Sequence, residues 1–451
     1  MLVIMKKSTK IKLIVIFFIL LMIFLIFIKI KNDNNSQTII QTKTASLFQN
    51  INNTAKVNKY IVYGTHFNLE GSLEIPKISG ISIYSAHVVV KNIDEKEISL
   101  KCTYTYKDNI LSFSTIDKIN EGLYLENLAK DKYYVFLKIV FSNSEVKYYS
   151  LENASKYEDT AYYTITKNET NNKININFSN YNNLPFMAIS VEDIESLPGN
   201  VYDIAIDPAH GGKDLGAQNN GYYESDIVLK CAKKLKEKLE KSGYKVYLTR
   251  DGSESKTEDM ANNMYNENGR INKVQESHAK ILISLHVNSN SKKLSKGGVE
   301  VYAPSNCNLD FAKLLANNIV KKANTSYSTF SLYKQADGVY VHNFSDAEIS
   351  AFKSRANSAK YEPYNITKTT PYLYMIRETG GIATNAFVDG RNKNYGTNKY
   401  YNSNIGIETY SIELGYMHID DDLDNILKNG NLYMQAISDS FSYLQQQWFM
   451  I

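Results

Sequence analysis

Cysteine is nearly absent from this chain: the three residues, Cys102, Cys231 and Cys307, lie far apart with no CxxC spacing. So odd and sparse a set argues against a disulfide framework and a cysteine-built zinc site. No long basic run disturbs the charge balance, and a net charge of +4 with 22% charged residues gives no sign of a nucleic-acid partner. No HExxH helix motif occurs anywhere. A single Trp stands against 35 Tyr, and Asn is abundant, which reads as compositional bias as much as function. At 451 residues there is room for two or three domains.

Long apolar runs are confined to the N-terminus. Residues 13–28 form an unbroken stretch of 16 apolar side chains, preceded by Lys6, Lys7, Lys10 and Lys12 and followed by Lys29 and Lys31. Extending the stretch to Ile11 and Ile30 gives 20 residues, enough to span a bilayer if Lys12 and Lys29 snorkel. The lysine excess before the run favours a cytoplasmic N-terminus. Residues 1–31 are therefore expected to be a transmembrane signal anchor in the cytoplasmic membrane, with the rest of the chain outside. The alternative is a cleaved signal peptide and secretion to the cell wall, but no A-x-A site follows the run. Residues 32–58, rich in Asn, Gln, Thr and Ser, are expected to be a polar linker.

From residue 59 to 193 the pattern becomes short alternating runs such as SIYSAHVVVKN, KYYVFLKIVF and KININFSN. Seven or eight such strands suggest an all-β sandwich-like domain. His66 and His87 are isolated there and read as structural or exposed.

After DIESLPG at 193–199, strands and helices alternate. VYDIAIDPAHGG reads as a strand running into a glycine-rich turn. Residues 225–242 repeat apolar side chains at Ile227, Cys231, Leu235 and Leu239, an amphipathic helix with Ser225 as N-cap and Gly243 as stop. Cys231 on its apolar face reads as a small core residue. YKVYLT and AKILISLHV read as further strands, the latter apolar enough to be buried on both faces. A polar helix over about 258–278 separates them, and a short strand over 298–303, a helix over 310–323, the strand TYSIEL and a C-terminal helix over about 431–448 follow. The fold class expected over 200–451 is an α/β domain with a mostly parallel sheet flanked by helices.

His210, His286 and Glu413 stand at or just past strand exits, and Glu224 lies just ahead of the first helix. In a parallel sheet these positions share one rim, where ligands bind. Two His and one Glu are a common ligand set for catalytic zinc, and a further carboxylate off the metal would serve as general base. Spacing alone leaves open whether a metal site exists. His278, His342 and His418 read as structural or exposed.

The ordered segments DPAHGG, YYESDIVL, ISLHVNS and SIELGYM resemble the motifs of the zinc-dependent N-acetylmuramoyl-L-alanine amidases. TRDGS and RINKVQESHA are similar to segments that this family places between its metal ligands. The resemblance implies that His210, Glu224 and His286 bind one zinc ion and that Glu413 is the catalytic acid/base. It implies peptidoglycan as substrate, cut at the amide between the muramic acid lactyl group and L-alanine, in wall remodelling, division or sporulation.

Two departures stand out. Ala209 replaces a usual glycine, and residues of about 334–407 form an extended insertion before the final glutamate. An insertion this long is expected either to line the substrate groove or to cover the site until an activator protein moves it. Glu378 and Glu408 compete with Glu413 for the catalytic assignment. Two other functions remain to be weighed: a zinc peptidase acting on stem peptides, and an inert wall-binding or regulatory protein.

Overall fold

The computed structural model describes residues 21–22, 29–31, 37–116, 121–155, 159–165, 171–258, 269–289, 294, 296–305, 307–358, 366–380 and 405–448. The expected membrane span, residues 1–31, lies largely outside these. Among the described residues no helix is long and apolar enough to cross a membrane.

The first structured segment corrects the polar linker expected over 32–58. Residues 37–48 form a helix, α1, and the first strand begins at Ile51. Three side chains of α1 explain its place: Thr44 and Phe48 are buried and Leu47 partly so. Phe48 lies in an aromatic cluster with ring centroids 4.9–5.6 Å from those of Tyr134, Phe136, Tyr181 and Phe186, spacing at which aromatic pairs attract beyond simple burial.

Twelve strands then follow: β1 (Ile51–Tyr63), β2 (His66–Glu74), β3 (Ile83–Lys91), β4 (Glu97–Lys101), β5 (Thr103–Lys107), β6 (Ile110–Ser114), β7 (Leu123–Tyr124), β8 (Lys132–Phe141), β9 (Val146–Asn153), β10 (Thr160–Tyr163), β11 (Asn172–Tyr181) and β12 (Leu184–Asp193). They share one hydrogen-bonded network, ordered β10-β11-β12-β8-β9-β1-β2-β6-β5, with β3 pairing β8 and β4. Alternation of side chains along the strands places Val88, Val90, Val135, Leu137, Met187 and Ile189 in the main core. The opposite faces of the same strands carry Val89, Phe136 and Ala188 against α1.

The second unit is α/β. Its elements are β13 (Ile204–Pro208), β14 (Gln218–Asn219), β15 (Tyr222–Tyr223), α2 (Glu224–Lys241), β16 (Val246–Leu248), α3 (Arg270–Glu276), β17 (Ile281–Asn288), β18 (Glu300–Tyr302), α4 (Asp310–Ala323), β19 (Lys334–Ala336), β20 (Val339–Tyr340), α5 (Asp346–Ser358), α6 (Tyr374–Thr379), β21 (Ile405–Gly406), β22 (Glu408–Tyr416) and α7 (Asp420–Trp448). The sheet order is β16-β13-β17-β22-β18-β20-β19. Pairing is parallel from β16 through β22 and antiparallel at β18/β22 and β19/β20. Helices α2, α4 and α7 bury Leu235, Leu315 and Ile437 against one face. Ile271 of α3 and Met375 of α6 cover the other.

Two helix boundaries differ from expectation. The N-cap of α2 is Tyr223 rather than Ser225, so Glu224 is its first residue. Helix α7 starts at Asp420 and runs through Gly430, where a Cβ would lie 3.5 Å from Cys231 Sγ on α2.

The insertion is partly built into this scaffold. Strands β19 and β20 extend the sheet, and Thr379 on α6 bonds Thr409 of β22 (Oγ1–Oγ1 2.6 Å). Residues 359–365 and 381–404 of the insertion lie outside the described residues. Strand β21 joins the two units by pairing with the end of β1, Val62 with Ile405 and Tyr63 with Gly406. A Cβ at Gly406 would sit 2.1 Å from Gly380 O, so glycine is required there.

Buried polar groups line this junction. Glu126 accepts bonds from the Tyr162 hydroxyl and from Ile165 N (3.1 Å to Oε1), while Lys280 of the α/β unit donates to Tyr202 O (3.2 Å) with its Nζ 5.6 Å from the Tyr162 ring. Burial pushes the Glu126 carboxyl up from 4.5 to about 7, against the pull of Tyr162 and Lys280. The folded protein thus holds a proton that the unfolded chain releases near 4.5. This contribution is complete below about pH 4.5 and is lost as pH rises to about 7. The stability difference between wild type and Glu126→Gln, measured by urea unfolding, should shift against wild type across that window; a pH-independent difference would refute the assignment.

Candidate active site

The site is built where the parallel strands end. β13 stops at Pro208, Ala209 N donates to Leu285 O (3.1 Å) on β17, and the chain turns sharply at His210. His210 has φ of +63°, a region that few residues other than glycine adopt. Reciprocal bonds between Gly211 and Asp214 close the turn (N–O 2.8 and 3.1 Å). The His210 ring is then fixed at both nitrogens: Nδ1 lies 2.9 Å from Asp214 Oδ2, and Nε2 lies 3.0 Å from Glu224 Oε1.

Glu224 is aimed by the backbone. Ala217 N donates to its Oε2 and Val287 N to its Oε1, both at 3.0 Å. Gly216, at φ +66°, leaves the space this needs, since a Cβ there would lie 2.7 Å from both Glu224 Oε2 and His210 Cδ2. His286 on β17 brings Nδ1 to 3.4 Å from Glu224 Oε1. One ligand atom from each of His210, Glu224 and His286 falls within 4.8 Å of the others. Two imidazole nitrogens and a carboxylate oxygen converging in this way form a donor set that fits an open zinc site.

Electrostatics bind the cluster together. Burial alone would lower the His210 pKa, but Asp214 and Glu224 outweigh it and hold it up at about 9. Burial works to raise Glu224, and the two histidines overcome it and drive the carboxyl well below its ordinary range. Glu413 stands beside them: parallel pairing sets it opposite His286, and antiparallel pairing sets it opposite Glu300. Its Oε2 is sealed from solvent with no hydrogen-bond partner among the described residues. Burial, then the negative charges of Glu224 and Glu300, push its pKa far up.

The competing glutamates lie elsewhere. Glu408 starts β22, five residues before Glu413 and so roughly 16 Å away along the strand. Glu378 on α6 pairs with its neighbour Arg377 (2.9 Å). His342 is stacked between Tyr333 and Tyr372 with centroids at 3.6 and 4.2 Å, and its Nε2 meets Glu348.

A buried layer beneath the site escaped the reading of single residues. Asp207 accepts bonds from Thr249 Oγ1 (2.7 Å), Arg270 Nη1 (2.6 Å) and Ser284 Oγ (2.9 Å). Arg250 donates from Nε to Pro208 O and from Nη2 to Ala209 O and Ser225 O, each at 2.8 Å. It thereby ties the histidine turn to the start of α2. The sequence signal for both arginines was their place in TRDGS and RINKVQESHA.

The sequence profile of the N-acetylmuramoyl-L-alanine amidases matches residues 204–442, just over half of the chain. The chain belongs to this family. It is 29% identical to the amidase LytC of Bacillus subtilis (strain 168) over 169 residues, 38% of this chain and 32% of LytC. It is 32% identical over 194 residues to a Buchnera aphidicola protein assigned as an N-acetylmuramoyl-L-alanine amidase, covering 40% of this chain and 82% of that one. The solved amidase of Clostridium difficile 630 aligns with 21% identity and a TM-score of 0.34, covering 55% of this chain and 98% of that one. The chain thus spans about a third of the length of LytC. The matched segment holds all four residues singled out in this amidase domain, while β1 to β12 lie outside it.

Because Arg250 satisfies three buried carbonyls and pairs with Glu254, its loss should cost roughly 3–5 kcal/mol. Lysine lacks the planar fork and should recover less than half of this. Urea midpoints of Arg250→Ala and Arg250→Lys test this; wild-type stability in the lysine variant would contradict it.

Proposed function

We propose that the chain hydrolyses the amide between the N-acetylmuramic acid lactyl group and L-alanine in peptidoglycan, with His210, Glu224 and His286 holding one zinc ion and Glu413 moving the proton. The observation that carries this reading is the convergence of the three ligand atoms beside Glu413, whose Oε2 has no hydrogen-bond partner among the described residues. Family membership supplies the substrate class. Zinc held there would supply Lewis acidity toward water and the lactyl carbonyl, and a positive charge beside Glu413 that favours the carboxylate a base requires.

The chain's own residues do the rest. The Glu413 carboxylate accepts a proton from the water that attacks the lactyl carbonyl carbon. As the C–N bond breaks, the same group returns that proton to the leaving alanine nitrogen. Glu413 is suited to both steps because it is half-buried on a strand paired on both sides, with its Oε2 not committed to a donor among the described residues. Asp214 and the backbone amides of Ala217 and Val287 keep the ligands in place meanwhile.

The location follows from sequence. The apolar run at 13–28 with its lysine-rich leading flank supports tethering to the cytoplasmic membrane, with the amidase domain on the outer side where peptidoglycan lies. The long insertion ahead of β22 supports control of the site by a partner, since parts of it extend the catalytic sheet itself.

The full chain in detergent, incubated with purified peptidoglycan, should release stem peptides with a free L-alanine amino terminus, and a chelator should stop it. Glu413→Gln should retain zinc and lose about 10²–10⁴-fold in rate. His210→Ala should lose the metal, and Glu408→Gln should keep full turnover. Product mass decides: new termini inside the stem peptide would indicate a peptidase, and undiminished cleavage by Glu413→Gln would remove its role.

A further inference from the structure

His286 has two ring nitrogens, and only one can face the ligand cluster while the ring remains neutral. The side chains along β13 and β17 decide which. Parallel pairing places Asp207 beside Ser284, and His286 follows two positions later on the same strand face. Ser284 Oγ lies 2.9 Å from Asp207 Oδ2 and 3.2 Å from His286 Nε2. Asp207 is a buried carboxylate already bonded to Arg270 and Thr249, so it can only accept. The single Ser284 proton must therefore go to Asp207. The hydroxyl oxygen is left as an acceptor, and His286 must donate to it from Nε2. Nδ1 is then the unprotonated nitrogen, and Nδ1 is the atom near Glu224 Oε1.

The other histidine is fixed in the opposite sense. Asp214 takes the Nδ1 proton of His210, while its second oxygen accepts from Gly216 N (3.1 Å). This turns Nε2 toward Glu224.

We propose that Asp207 and Ser284 form a positioning relay that commits His286 to ligation through Nδ1, while Asp214 commits His210 to ligation through Nε2. The relay deepens the metal-site reading above and rests on it for its purpose. The hydrogen-bond logic stands on the side chains alone. Arg270 and Thr249 hold the far end of the relay, so the geometry of His286 is anchored in the core of the sheet rather than in the loops around the site. Outer partners of this kind commonly contribute about 10–100-fold to metal affinity.

The test uses the full chain with ¹⁵N-labelled histidine. At a pH where the rings are neutral, the metal-free protein should show the His286 proton on Nε2 and the His210 proton on Nδ1. Added zinc should shift Nδ1 of His286 and Nε2 of His210. Ser284→Ala should weaken zinc binding about 10–100-fold in competition with a chromophoric chelator, with unchanged circular dichroism, and Ser284→Thr should restore most of it. A His286 proton on Nδ1, or wild-type affinity in Ser284→Ala, overturns the relay. If Ser284→Ala does not fold, the wild-type tautomers decide alone. Should the wild type show the expected tautomers yet take up no zinc, the metal reading fails while the relay survives, so the two failures are distinct.

Discussion

The register of three parallel strands is the constraint on which the site depends. Pro208, Leu285 and Ile412 lie side by side across β13, β17 and β22, and His286 faces Glu413 one step further on. Because side chains alternate across a sheet, a slip of one residue in any strand would turn its functional group to the other face. The burial of Ile206, Ile283 and Ile412 on one face and Ala205 and Leu282 on the other makes such a slip costly. Hydrophobic packing therefore fixes the relative heights of groups separated by more than a hundred residues. The polar residues at the rim need only supply the chemistry.

Register alone cannot place His210, which lies beyond the end of β13. Its left-handed backbone is held by the Gly211–Asp214 bonds on one side and by Arg250 on the other. Arg250 joins three carbonyls from two elements, so the turn and the first turn of α2 move as one body. Glu224 shares in this arrangement as the first residue of α2. The electrostatic cost of burying so many charges is met locally, by Asp207 with Arg270 and by Arg250 with Glu254.

The rim positions His210, His286 and Glu413 were legible because each ends an apolar run at a polar or glycine-rich turn, and Glu224 because it opens an amphipathic helix, patterns that require no partner to be seen. Asp207 stands with His210 at the strand exit in DPAHGG and Ser284 precedes His286 in ISLHVNS, but neither position tells its role. They are polar residues inside buried strands, and their meaning appears only when pairing sets them side by side. The helix over 37–48 was missed because only Thr44, Leu47 and Phe48 face the core, too thin a stripe to stand out amid Gln, Thr and Lys. Strand β1 was placed late for a related reason: Ala55 and Val57 are its only apolar residues between Ile51 and Tyr60, and both are small. The C-terminal helix begins at Asp420 rather than at about 431, and Gly430 lies inside it at the crossing of α7 with α2, where lost helix propensity of about 1 kcal/mol is offset by packing.

The β-rich unit meets the α/β unit at the end of the sheet opposite the ligand cluster. β1 pairs with β21 just ahead of Glu408, and Gly64 N donates to Gly406 O (2.8 Å). Glu408 starts β22 and Glu413 lies five residues further along it, so whatever docks at the first leaves the second free. This division separates two demands on β22. Its start is locked by Thr379, by Tyr410 bonded to Glu408, and by the neighbouring unit. Its later half carries a carboxylate oxygen that no donor among the described residues holds. Rigidity at one end of the strand makes it possible for the other to present an uncommitted buried oxygen at a fixed height beside His286.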